Sequence, residues 1–99
     1  GQNVRDWLYV KDHCSAIDAV LKRGTVGETY NVGGNNEVKN LDLVQMLCDL
    51  MNEMASDLPV RPAQNLITFV KDRPGHDRRY AINSTKLQTE LGWTPSVTV

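Results

Sequence analysis

Apolar and polar residues change period several times along the chain, and each change marks an element. Trp7 to Val10, "WLYV", is an aromatic and β-branched run that predicts a short strand. Cys14, Ile17, Val20 and Leu21 then recur at the spacing of one helix face. Asp12 stands where an N-cap belongs, Lys22 and Arg23 suit the last turn, and Gly24 is placed to end the helix. Thr29, Tyr30 and Val32 predict a second strand, stopped by Gly33-Gly34. Asn40 is the N-cap expected for the next helix, with Asp42 in its first turn. Leu43, Leu47, Leu50, Met51 and Met54 form its stripe, widened by Val44 and Cys48, which predicts the main core helix. Ala55 to Asn65 has no period and reads as a loop. Leu66 to Val70 predicts a strand, and Tyr80 to Asn83 a shorter extended piece. Ser84 caps a final helix whose Leu87 and Leu91 are four apart, ending at Gly92 before Trp93 and Pro95. The order β-α-β-α-β-(β)-α gives an α/β class chain of mixed α+β character, in one small domain over residues 1–99.

Composition narrows the partners. A chain of 99 residues can bury roughly 60–65% of its unfolded surface, enough for a modest core. A net charge of −1 argues against nucleic acid or an anionic membrane as the main partner, since both need a broad basic surface. No apolar run approaches the roughly 20 residues that span a bilayer, and no signal peptide is visible. Cys14 and Cys48 fall in apolar helical stretches without metal-ligand spacing, so they are expected to be buried free thiols of a reducing, cytoplasmic compartment. The chain opens on Gly1 and closes on "GWTPSVTV" without a polar tail, and both ends are expected to be cut points in a longer protein.

Signatures of catalysis are missing. There is no GxGxxG, no Walker A loop and no GxSxG elbow. His13 and His76 are too isolated for a metal site. Tyr9, Tyr30 and Tyr80 are followed four residues later by His13, Gly34 and Ser84, so no Tyr-x-x-x-Lys pair exists. The 99 residues are expected to perform no chemistry alone. Binding groups are better represented. "KDRPGHDRRY", Lys71 to Tyr80, gathers Lys71, Arg73, Arg78 and Arg79 around the Pro74-Gly75 bend, offset by Asp72 and Asp77. The bend can present Arg73 and His76 to one side, and arginine's planar fork suits phosphate. The other reading is a surface turn whose arginines pair with local aspartates. Arg5 alone reads as a solvated charge. Asn40 reads as a cap, at a helix end that itself attracts anions. Trp7 and Trp93 are expected to pack.

Four stretches, "VRDWLYVKDH", "GETYNVGGNNEVKN", "DRPGHDRRYAIN" and "TKLQTELGWTP", in this order resemble the C-terminal part of dTDP-glucose 4,6-dehydratases. These are extended short-chain dehydrogenases/reductases of nucleotide-sugar metabolism. The first two motifs recur broadly among nucleotide-sugar epimerases, dehydratases and decarboxylases, whereas "RPGHDRRYA" with "ELGW-x-P" is narrower. Asn35 and Asn83 depart from the histidine and aspartate frequent in relatives. The resemblance implies a small C-terminal substrate-binding subdomain without its Rossmann domain. It also implies a parent, commonly a homodimer, that holds NAD upstream of these residues. Such enzymes oxidise the sugar at C4, eliminate water across C5 and C6, and return the hydride to C6. The product is dTDP-4-keto-6-deoxyglucose, on the route to dTDP-rhamnose. Carried over by motif, Arg5 and Asn40 would contact the dTDP part of dTDP-glucose or another nucleotide sugar. Asp72, Arg73, Pro74, Gly75 and His76 would form a binding loop with Arg73 on the diphosphate, and Tyr80 would belong to the same wall. The rival readings are a related nucleotide-sugar epimerase or decarboxylase, or a binding domain without catalysis.

Overall fold

The computed structural model describes all of residues 1–99. Its sheet has two antiparallel strands, β1 (Val4–Asp6) and β2 (Glu37–Lys39), in register Val4–Lys39, Arg5–Val38 and Asp6–Glu37. Helix α1 spans Val10–Arg23, α2 spans Asn40–Met54 and α3 spans Thr85–Leu91, with a 3-10 turn at Ala63–Leu66. The mixed helix-and-strand character matches the expectation, while three predicted strands do not form.

Strand β1 precedes "WLYV" because the Asp6 carboxylate captures the glycine pair. Its two oxygens accept from the backbone N–H groups of Gly34 and Asn36, each at 3.0 Å. A Cβ on Gly33 would lie 2.7 Å from Asp6 Oδ2, and one on Gly34 would lie 2.5 Å from the Trp7 carbonyl, so neither position admits a side chain. Those contacts hold the Thr29–Val32 segment as irregular chain that packs without a ladder, and β2 forms beyond it. Leu66 to Val70 likewise joins no strand, and the extended piece near Tyr80 is reduced to one parallel bridge between Val4 and Arg79.

Helix α1 turns a different face inward from the one its apolar spacing predicts. Asp12, Ala16 and Ala19 are buried and Val20 of the predicted face packs against the core, whereas Cys14, Ile17 and Leu21 are exposed. Two alanines let α3 approach closely, and Leu87, Leu91 and Trp93 fill the contact with Ala16. Asp12 is inside because it is satisfied. It accepts from Ser96 Oγ at 2.6 Å and from the Val97 backbone N–H at 3.0 Å. The cap of α1 is Tyr9, so Asp12 is no N-cap. Trp93 packs as expected and donates its indole N–H to Ser15 Oγ at 2.9 Å.

Helix α2 has the predicted extent, but it is not the core helix. None of its residues is buried, and Leu47, Leu50 and Met51 are 53%, 45% and 47% exposed. Its N-cap is Lys39, which places Asn40 inside the first turn. The expected loop after it folds back on α2 through Asn52. That side chain accepts from the Ala63 backbone N–H and donates to Gln64 Oε1, both at 2.8 Å. Cys48 is half-buried and Cys14 is open to solvent, both as free thiols, which corrects the expectation of two buried cysteines. No helix is long and apolar enough to cross a membrane.

Candidate functional site

The first turn of α2, the segment before β1 and the stretch from Ile67 to His76 enclose a cavity of about 600 Å³. Leu41, Val44, Ile67, Phe69 and Val70 give it an apolar wall, while Asn3, Asn40, Lys71, Asp72, Arg73 and His76 give it a polar one. Four of the eight sequence-predicted site residues therefore share this space: Asn40, Asp72, Arg73 and His76. Arg5, Pro74, Gly75 and Tyr80 do not line it.

The turn explains how residues four apart in sequence meet. Pro74-Gly75 reverses the chain, Gly75 has φ +74°, and the His76 backbone N–H donates to the Arg73 carbonyl at 3.3 Å. The His76 ring then reaches Asp72, with Nδ1 2.6 Å from Oδ1. That hydrogen bond holds the Asp72 carboxyl below the usual carboxylate range. Asp72 is thereby engaged by histidine, and Arg73 is left with no carboxylate partner among the four ion pairs of the structure. The reading in which these arginines are consumed by local aspartates fails for Arg73. Arg79 pairs outside its own segment, with Glu37 on β2.

Asn40 supplies a second unmet group. Its Oδ1 is buried and has no hydrogen-bond partner. A cap would have satisfied that oxygen, so the role expected from sequence is not the role the side chain plays. Its backbone N–H is engaged by the Asn3 carbonyl at 2.9 Å.

Arg5 and Tyr80 form a separate group at the rim. Arg5 donates from Nη1 to the Val4 carbonyl at 2.7 Å and from Nη2 to the Asp77 carbonyl at 2.8 Å. Its guanidinium lies over the Tyr80 ring, 4.8 Å from the centroid. The Asp77 carboxylate beside the Tyr80 phenol pushes the phenol up from its ordinary pKa. The two groups meet at one atom, because the Asp77 carbonyl also accepts from Asn3 Nδ2, at 3.3 Å, and Asn3 lines the cavity. Asn3 and Lys71 were not among the residues expected at the site. Lys71 carries a local signal as one of the cations gathered at the bend, whereas Asn3 carries none, since it reaches the cavity only through the pairing of β1 with distant residues.

A dinucleotide cofactor needs a glycine-rich turn between a strand and the helix that follows it, with a parallel neighbour strand. The β1–α1 connection is Trp7-Leu8-Tyr9, and the sheet is antiparallel. The residues present do not fit NAD. No group of three His, Cys, Asp or Glu side chains converges in the structure.

A family model described as GDP-mannose 4,6 dehydratase matches residues 1–99. The dTDP-glucose 4,6-dehydratase of Xanthomonas campestris pv. campestris (strain B100) is 54% identical over 98 residues, covering 99% of this chain and 28% of the relative. Among solved structures, the dTDP-glucose 4,6-dehydratase of Bacillus anthracis str. Ames in complex with NAD superposes with a TM-score of 0.80 at 49% identity. That match covers 99% of this chain and 28% of the other. DesIV, the dTDP-glucose 4,6-dehydratase of Streptomyces venezuelae with NAD and TYD bound, gives 0.79 at 37% identity, over 98% of this chain and 27% of the other. The chain thus spans between a quarter and a third of the length of the relatives it matches.

Proposed function

The chain belongs to the GDP-mannose 4,6 dehydratase family, and from that premise we propose that it is the nucleotide-diphosphate-binding subdomain of a dTDP-glucose 4,6-dehydratase. Residues 1–99 form this C-terminal unit, and NAD lies on the part of the parent outside them. The parent converts dTDP-glucose to dTDP-4-keto-6-deoxyglucose with loss of water, a lyase reaction that feeds dTDP-rhamnose formation in the cytoplasm of the cell, and it works as a homodimer. These 99 residues contribute binding and no catalytic group.

One observation carries the reading: Arg73, without an ion-pair partner, lines the same cavity as Asn40, whose unpartnered Oδ1 is an acceptor for an N–H or O–H of the nucleoside rather than for the diphosphate. A diphosphate carries about two negative charges, and hydrogen bonds to charged groups contribute on the order of 1.5–3 kcal/mol each. Arg73 on the diphosphate, with Arg5 at the rim, anchors the substrate away from the reacting sugar. Binding energy from such remote contacts serves to hold the reacting carbons in place. Asp72 and His76 fix the turn from which Arg73 projects. Pro74 and Gly75 set its reversal without facing the cavity.

The test is a titration of dTDP followed by amide chemical shifts, in the 99-residue chain and in the full-length parent. Signals of Asn40 and Asp72 to His76 should move in both, with tighter binding by the parent. If they stay silent in both while other residues respond, the cavity is not the binding site.

A further inference from the structure

Tyr80 lies at the rim with its ring against Arg5 and no place in the cavity wall. We propose that Tyr80 is a positioning residue: its ring and the Asp77 carbonyl together hold the Arg5 guanidinium in one plane, ready for the substrate diphosphate. This rests on the reading of Arg5 as a diphosphate contact given above.

The geometry is that of a seat. The Tyr80 backbone N–H donates to the Val4 carbonyl at 2.9 Å, and the Val4 N–H donates to the Arg78 carbonyl at 2.6 Å. Those two bonds tie the backbone of Tyr80 to the strand that carries Arg5, so the spacing of ring and guanidinium is set by the main chain. The ring covers one face of the guanidinium at 4.8 Å. The carbonyls of Val4 and Asp77 take one N–H each. An arginine has five N–H donors, so three remain for a ligand, all in a plane already fixed. A long side chain that is ordered before binding does not lose that freedom again on binding. The phenol faces the Asp77 carboxylate and makes no bond to Arg5, whose partners are the ring face and two backbone carbonyls, which separates the role from a direct hydroxyl contact with substrate.

The experiment uses the full-length parent, with dTDP and inorganic pyrophosphate as probes and steady-state kinetics beside them. Tyr80→Leu should weaken binding of both probes about 3- to 10-fold, raise KM in proportion and leave kcat within about twofold. Tyr80→Phe should restore wild-type affinity, since it keeps the ring. In an Arg5→Ala background, Tyr80→Leu should add nothing. Should the leucine variant fail to fold, Tyr80→Met poses the same ring-less test. The proposal is overturned if Tyr80→Leu binds pyrophosphate as tightly as wild type while Arg5→Ala does not. It is overturned also if Tyr80→Phe loses as much as Tyr80→Leu, or if the loss persists without Arg5. Unchanged pyrophosphate binding in Arg5→Ala instead removes the underlying reading of Arg5.

Discussion

Asn40 and Arg73 hold different kinds of unmet bonding capacity, and the difference decides what each substitution does. The Asn40 Oδ1 is buried without a donor, which costs the free protein on the order of 1–3 kcal/mol. Asn40→Ala removes that cost along with a poor helix former in the first turn of α2. The variant is expected to unfold at the same or a higher temperature than wild type, while its dTDP affinity falls about 5- to 10-fold. A lowered unfolding temperature with unchanged affinity would make Asn40 a purely structural residue. Arg73 was legible in the sequence because a Pro-Gly bend and a planar cation are both local facts. The unpartnered oxygen of Asn40 was not, because whether an amide caps its own helix depends on where β2 places the preceding residue. The partners of the arginines were equally hidden, since Glu37, which takes Arg79, lies 42 residues away.

Elements obeyed their local rules where one short stretch supplied every part. Helix α3 has Ser84 at its N-cap position as expected, but without a side-chain cap bond; an Asx turn in which Asn83 Oδ1 accepts from the Thr85 backbone N–H at 3.0 Å takes that part, and the helix ends at Gly92 with φ +67°. Asn83→Ala should lower stability by about 1 kcal/mol, read as a shift of the denaturant midpoint, while Asn83→Asp should retain it. An unshifted midpoint in the alanine variant would remove the turn from the account. Helix α1 shows where periodicity ran out. It carries two candidate faces, and the apolar one is exposed at Cys14, Ile17 and Leu21, with only Val20 packed on the core. The buried face instead combines two alanines with Asp12, whose burial became possible only through Ser96 and Val97, more than 80 residues on. Those bonds, the Ser96 hydroxyl foremost, lower the Asp12 pKa. The folded carboxyl thus titrates below its unfolded value. Its contribution is present in full above the unfolded pKa near 3.9 and is lost as pH falls through the folded one. Stability measured from pH 6 down to pH 3 should therefore fall more steeply in wild type than in Asp12→Asn. Equal slopes would contradict the role given to Asp12.

As a whole the molecule is extended and thin, measuring 51 × 35 × 16 Å. Its radius of gyration is 17.3 Å, against about 13 Å for a closed domain of this length. Only 10 of 99 residues are buried. The backbone makes 43 internal hydrogen bonds, where a closed domain would make about 70. Patterning identified three helices but could not show that the stripe of α2 lacks a cover, because periodicity records an apolar face and not its partner. A chain with this much open apolar surface should bind a hydrophobic dye strongly and unfold over a broad range. The full-length parent should do neither, and a sharp, dye-silent transition of the 99 residues alone would contradict the open architecture.

We propose that the cavity beside the Pro74-Gly75 turn receives the diphosphate of a nucleotide sugar, with Arg73 as its anchor. Calorimetric titration of dTDP into the full-length parent and its Arg73→Ala variant tests this most directly. Loss of a charged hydrogen-bond donor should weaken binding about 10- to 100-fold. An affinity within twofold of wild type, in a variant that folds, would contradict it.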